Sequence, residues 1–271
     1  MDLIINADDL GMNPEVNRAT FELMEQGRVT SATLLANSPD VEEACARISE
    51  FPQCSFGVHL NASEFQPLSS PDKLKPILDD TGSMDLIRFQ QAAIDESLAD
   101  GIFDEFCAQI DKLAGLGVPI SHVDSHNYIL STPKLFPVLK KVQRKYQIRK
   151  VRISRNIYGD RLPKDLGVPP FVMGLDPDLG YKDIGNVLRV KKWVYNFALK
   201  HWYSTKTTDG FSGFRLLYES ARSRKLNHRT FEVNVHPESS YYDSSEEKIL
   251  RSEWQEDVGF PIRLISYLEL T

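Results

Sequence analysis

A basic excess is the first thing this chain lacks. Its 32 Lys and Arg stand against 38 Asp and Glu, a formal net charge of -6. No global field therefore draws it to nucleic acid or anionic lipid, and neither is expected as a partner. Cysteine is equally scarce: Cys45, Cys54 and Cys107 are odd in number and show no C-x-x-C spacing. That excludes a zinc ribbon or a disulfide framework and reads as free thiols in a reducing compartment. No apolar run approaches the ~20 residues that span a bilayer. The first residues are strand-like, without a basic segment leading into an apolar one, so cytoplasmic residence without a membrane partner is the expectation. Internal repeats, low-complexity tracts and composition shifts are missing too, which favours one domain over residues 1–271.

What is present is alternation of strand and helix patterns, the signature of parallel strands with crossover helices. Leu3 to Ala7 reads as the first strand, followed by a helix over Pro14 to Gln26 with Asn13 as its N-cap. Thr30 to Asn37 is a second strand, the stretch from Ser38 through Ala46 a helix, and Ser55 to Leu60 a third strand. Helical periodicity runs from Leu86 through Leu98 and on to Gly117, before a short strand over Pro119 to Val123. A helix over Pro133 to Tyr146, a strand at Val151 to Ile153, a helix around Val187 to Tyr203 and strands at Thr230 to Val235 and Ile262 to Tyr267 complete the reading. The basic stretch Arg189 to Lys200 is taken as the solvated side of an amphipathic helix whose Val190, Trp193, Val194 and Phe197 turn inward. Two irregular insertions, about 61–84 and 156–186, are long enough to frame a cleft. The expected architecture is α/β: a (β/α) barrel, closed or nearly so.

Polar residues gather where these strands end. Asp8 and Asp9 close the first strand; His59, Asp124 and His126, Arg152 and Arg155, and His236 each sit at or just past the end of another. In a parallel barrel all such ends open on one face, where chemistry is placed. Two adjacent acids repel unless a cation or shared proton relieves them. Asp9, His59 and His126 form a plausible one-carboxylate, two-imidazole metal set, of a kind that leaves positions open for water and substrate. Asp8 would be the general base, His236 a general acid, and Arg152 a partner for an oxyanion or carboxylate. Plainer readings compete: Asp8 and Asp9 as helix N-terminal acids, His59 and His126 as core histidines, His236-Pro237 as a strand terminator. His122 reads as structural, and His201 and His228 as surface residues.

Five ordered motifs sharpen this. Asn6-Ala7-Asp8-Asp9-Leu10-Gly11, Val29-Thr30-Ser31-Ala32-Thr33, Gly57-Val58-His59-Leu60-Asn61, Ser121-His122-Val123-Asp124-Ser125-His126 and Val233-Asn234-Val235-His236-Pro237 resemble the YdjC-like, ChbG-type carbohydrate deacetylases. Thr208 to Gly213 is similar to a segment carried by some relatives. The resemblance implies a distorted (β/α) barrel like that of the NodB-type deacetylases. It also implies removal of an N-acetyl group from an amino sugar, oligosaccharide or sugar conjugate at one divalent cation, Mg2+ or Zn2+ foremost. By the same resemblance Asp9, His59 and His126 match the metal ligands, Asp8 the base, His236 the acid, and Arg152 or Arg155 an arginine after the central strand. Asn61, Tyr128 and Arg155 are the expected substrate contacts, and a homodimer is compatible with the chain. One departure stands out. The family continues with histidines two and often four residues past the position of His126, where this chain has Tyr128 and Leu130. Metal binding is expected to survive and substrate specificity to change. The alternatives are a non-catalytic saccharide-binding descendant and a single-metal phosphoesterase.

Overall fold

Leu3, Ile4 and Ile5 are fully buried in the first strand, β1 (Asp2–Leu10), which lies at the centre of the sheet. A computed structural model describes residues 1–156, 186–223, 226–238 and 244–271. The 156–186 insertion expected from the sequence lies almost wholly outside the described residues. In chain order the principal elements are β1, α1 (Pro14–Glu25), β2 (Ser31–Leu34), α2 (Val41–Arg47), β3 (Ser55–Leu60), α3 (Leu86–Gln91), α4 (Glu96–Gly115), β4 (Ile120–Ser125) and α5 (Phe136–Tyr146). Then come α6 (Asn186–His201), β5 (Gly210–Gly213), α7 (Phe214–Ser223), β6 (Thr230–Val235), α8 (Ser244–Arg251) and β7 (Arg263–Leu264).

The strands pair in the order β4-β3-β2-β1-β6-β5, and every pairing is parallel. β7 adds two residues against the start of β1. The sheet curls back on itself through residues 149–156. Arg152 N donates to Val123 O (3.0 Å), while Val151 N donates to Lys206 O (3.1 Å) on the run leading into β5. This is the distorted (β/α) barrel, with a ring of parallel strands whose carboxyl ends share one face. One apolar cluster, from Leu3 in β1 to Val258 near the end, fills the space between sheet and helices. No described helix is long and apolar enough to cross a membrane.

Several expectations change at the level of elements. The periodicity from Leu86 to Gly117 is two helices, because Asp95 accepts a hydrogen bond from Leu98 N (2.9 Å) and starts α4 afresh. The strand at Val151 is reduced to single bridges, and the one at Ile262 to Arg263–Leu264. β5, α7 and α8 went unread. α6 turns the other way from its hydropathy: Val190, Trp193, Val194 and Phe197 are exposed, while Asn196 and Leu199 are buried. Its orientation follows hydrogen bonds. The Asn196 amide grips the backbone of Ser154, accepting from its N and donating to its O, both at 3.0 Å.

The barrel interior is polar at alternate positions, since residues two apart on a strand share a face. Asn6 and Asp8, Ser31 and Thr33, His122 and Asp124, and Glu232 and Asn234 are all buried in this way. His122 is fully buried, stacked on Tyr267 (ring centroids 3.7 Å apart), with Nε2 3.3 Å from Asn6 Oδ1. Burial, reinforced by the Arg152 charge, pushes its pKa well below the usual range, so it is a neutral structural histidine. Gly57 makes room for it, because a Cβ there would meet the ring at 2.6–2.7 Å. Gly57→Ala is therefore expected to cost about 1–3 kcal/mol through overpacking. A thermal melt unchanged from wild type would contradict this.

Candidate functional site

Adjacent residues on a regular strand point to opposite faces, so Asp8 and Asp9 should not both face the barrel mouth. A β-bulge resolves this. β1 pairs Ala7 with Ala32 but Leu10 with Leu34, one extra residue on β1, and Asp9 takes a left-handed φ of 66°. Aspartate is among the few residues that tolerate that region. The bulge re-aims Asp9 into the site that Asp8 already faces.

There Asp9 meets two imidazoles from distant strands. His126 Nδ1 is 2.8 Å and His59 Nε2 3.3 Å from Asp9 Oδ1. The three residues are buried, and their ligand atoms all lie within 4.8 Å of one another. These separations suit donors sharing an ion at roughly 2.0–2.2 Å from each. The carboxylate-plus-imidazole chemistry fits a divalent cation, so these residues could hold one.

Each outer atom of this triad is anchored. His59 Nδ1 donates to Asp124 Oδ1 (2.6 Å), which in turn is held by Thr33 Oγ1 donating to Oδ2 (3.0 Å). His126 Nε2 lies 2.8 Å from Glu64 Oε2. Burial works against a proton on His59, yet the charge and hydrogen bond of Asp124, with Asp9 and Asp8, push its pKa up to about 10. His126 likewise overcomes burial through Asp9 and Glu64 and reaches about 9. Burial raises the Asp9 carboxyl, but His126 and His59 outweigh it and hold it well below the ordinary range.

Asp8 sits beside the triad in a separate net. Arg152 clasps it with two bonds, NH1 to Oδ2 (2.8 Å) and NH2 to Oδ1 (2.7 Å). Asn6 Nδ2 (2.9 Å) and Asn234 Nδ2 (3.1 Å) add two more donors. Burial pushes the Asp8 pKa up, but Arg152 first and His59 next bring it below the usual carboxylate range. His236 Nε2 lies 3.7 Å from Asp8 Oδ2, and burial lowers its pKa against the pull of Asp8 and Asp9.

Of the two partners the sequence suggests for Arg152, an oxyanion or a carboxylate, the structure places carboxylates around it. Its NH1 also reaches Asp124 Oδ2 (2.7 Å) and its Nε donates to Glu232 Oε1 (2.7 Å), so three buried carboxylates share one guanidinium. Glu232 is further held by Tyr267 Oη (2.5 Å); burial lifts its pKa to about 7 against Arg152 and Tyr267. Asp8, His59 and Asp124 form a second ligand-like cluster, but Arg152 already supplies the positive charge between its two acids. Among the described residues, this leaves Asp9, His59 and His126 as the donor group into which no guanidinium reaches.

The substrate-side expectations divide. Asn61 is fully buried; its amide donates to Glu64 O (2.7 Å) and accepts from Ser63 N (2.9 Å). These bonds shape the loop after β3. Tyr128 stands at the mouth, 37% exposed, in a left-handed turn with Asn127. Its Oη accepts from Arg155 NH2 (3.1 Å) and Asn234 Nδ2 (3.3 Å). Leu130 is buried, its carbonyl accepting from Tyr195 Oη. Glu64, Glu232 and Tyr267 were not singled out by sequence reasoning. Glu232 carried a signal, an acid two residues before Asn234 on an otherwise apolar strand. Glu64 carried none.

A family model described as YdjC-like protein matches residues 2–260. A carbohydrate deacetylase of Geobacillus stearothermophilus is 32% identical over 176 residues, 60% of this chain and 69% of that protein. Carbohydrate deacetylase 1 of Listeria innocua is 36% identical over 152 residues, 55% of this chain and 59% of that protein. A third, from Thermoanaerobacter pseudethanolicus, is 33% identical over 54% of this chain and 58% of its own length. The chain thus spans under two thirds of two of these three curated relatives. A crystal structure from Enterococcus faecalis V583, described as a cellobiose-phosphate cleavage protein, superposes with a TM-score of 0.72. It covers 100% of this chain and 98% of its own at 23% identity, a likeness of fold.

Proposed function

The chain belongs to the YdjC-like protein family, and from that premise we propose that it is a metal-dependent hydrolase that removes the N-acetyl group of an amino sugar, oligosaccharide or sugar conjugate. The observation that carries this reading is the meeting of Asp9, His59 and His126 beside the tethered carboxylate of Asp8. The curated relatives named carbohydrate deacetylase supply the substrate class.

Asp9, His59 and His126 would hold the cation. Once bound, such an ion polarises an acetyl carbonyl and lowers the pKa of water toward neutrality. Asp8 takes the proton of the attacking water. Its two-bond clasp by Arg152 keeps it ionised and aims it; the same clasp makes Arg152 a positioning residue. His236, 3.7 Å from Asp8, receives that proton and delivers it to the departing amine nitrogen. Tyr128, exposed at the mouth, offers its apolar face to a sugar ring, where the family has a histidine. Arg155, bonded to the Tyr128 hydroxyl, braces that wall.

Acetate release from N-acetylated amino-sugar oligomers, measured with several added divalent metals, tests the reading. Asp8→Asn should bind metal as wild type does while kcat falls by about 100-fold or more, the usual scale of a general base. Full turnover by that variant would remove Asp8 from the role. Metal uptake without acetate release from any oligomer would favour a saccharide-binding descendant, and cleavage of phosphate esters a phosphoesterase.

A further inference from the structure

We infer that Glu64 is the positioning partner of His126: its carboxylate takes the outer ring nitrogen, Nε2, and so presents Nδ1 to the ion. The inference rests on the metal reading of the site given above. The two imidazoles of the triad face Asp9 through different atoms, His59 through Nε2 and His126 through Nδ1. An imidazole can bind a cation at one nitrogen while the other keeps its hydrogen, and a carboxylate on that N–H fixes both tautomer and ring orientation. His59 has such a carboxylate in Asp124, 2.6 Å from its Nδ1. His126 has it in Glu64, 2.8 Å from its Nε2. Opposite ring nitrogens are anchored, so opposite ring nitrogens point inward.

Glu64 is not itself one of the converging donors; it belongs neither to the group Asp9, His59 and His126 nor to the group Asp8, His59 and Asp124. Its own placement is specified by the loop that carries it. The Glu64 carbonyl accepts from Asn37 Nδ2 (3.1 Å) and Asn61 Nδ2 (2.7 Å). One residue earlier, Ser63 Oγ accepts from Asn127 Nδ2 (3.0 Å), the residue directly after His126. The loop after β3 and the turn after β4 are thus joined twice. One join runs through the side chain of Glu64 and one through Ser63. Whereas Asp124 is sealed in the barrel, the Glu64 side chain is 36% exposed. The His126 anchor is therefore the one that a ligand entering the cleft can touch.

The test is zinc titration calorimetry on the full chain as wild type, Glu64→Ala and Glu64→Gln, with ¹H–¹⁵N spectra of the imidazole N–H groups in the zinc-loaded proteins. Glu64→Ala should weaken zinc binding by about 10–100-fold, the usual cost of losing an outer carboxylate. The protected Nε2–H signal of His126 should disappear with it. Glu64→Gln keeps an acceptor oxygen in the same shape and should recover part of both; it carries the test if metal-free Glu64→Ala melts below wild type. Zinc affinity within twofold of wild type in both variants, or an Nε2–H signal that persists in Glu64→Ala, overturns the inference. A wild type that takes up no zinc overturns the metal reading itself, and this inference falls with it.

Discussion

His59→Ala is expected to abolish metal uptake and acetate release together. The substitution removes one of three converging donors, leaving Asp9 and His126 as a pair. It also strips Asp124 of the imidazole 2.6 Å from its Oδ1, so the strand-end acids lose the group that lies between them. Loss of an outer anchor costs about 10–100-fold in metal affinity, and loss of a direct donor should exceed that range. Thermal denaturation gives a readout independent of turnover. An ion at 100 times its dissociation constant stabilises the native state by about 2.7 kcal/mol. Wild type should therefore melt several degrees higher with zinc than with chelator, and His59→Ala should not respond. A variant that retained stoichiometric metal would remove His59 from the ligand set and with it the reading of the triad.

Arg152→Met is expected to produce the largest loss of stability. One guanidinium bridges Asp8, Asp124 and Glu232, all buried, through bonds of 2.7–2.8 Å. Burying an uncompensated charge after removing its partner typically costs about 3–5 kcal/mol, and here three acids lose the same cation. At about 2–4 °C per kcal/mol for a domain of this size, the melting temperature should fall by roughly 10 °C or more. Turnover should fall too, because Asp8 loses the fork that aims it. Arg152→Lys should rescue only part of either, since an ammonium cannot make the forked bonds. A melting temperature within about 2 °C of wild type for Arg152→Met would show that the acids are neutralised some other way.

The polar strand ends were legible because parallel topology brings every carboxyl end to one face, and alternation of strand and helix announces that topology. Asp9, His59 and His126 could be picked out one by one on that ground. Arg152 was legible as a partner for an oxyanion or a carboxylate, but not which acids it holds, since nothing local tells that Asp8, Asp124 and Glu232 converge on it from three strands. The bonds of Asn61 were hidden for a related reason: its amide stands beside a site histidine in sequence, and only the folded loop engages both its ends. α6 is the clearest miss. Hydropathy put Trp193 and Phe197 inside, whereas the paired hydrogen bonds between Asn196 and Ser154 and the burial of Leu199 turn the opposite face inward. Glu64 had no periodicity to betray it.

The order of elements, the parallel sheet, the family and the residue types at the strand ends follow from local pattern. Backbone periodicity and turn chemistry act over a few residues and can be read one segment at a time. Which nitrogen of each histidine faces inward, which acid shares the guanidinium, and how two neighbouring aspartates come to face the same cavity are settled elsewhere. They depend on a one-residue bulge in β1 and on partners 28 to 144 positions apart. Those contacts exist only once the barrel has curled, because hydrogen bonds and charges respond to distance in space and not along the chain.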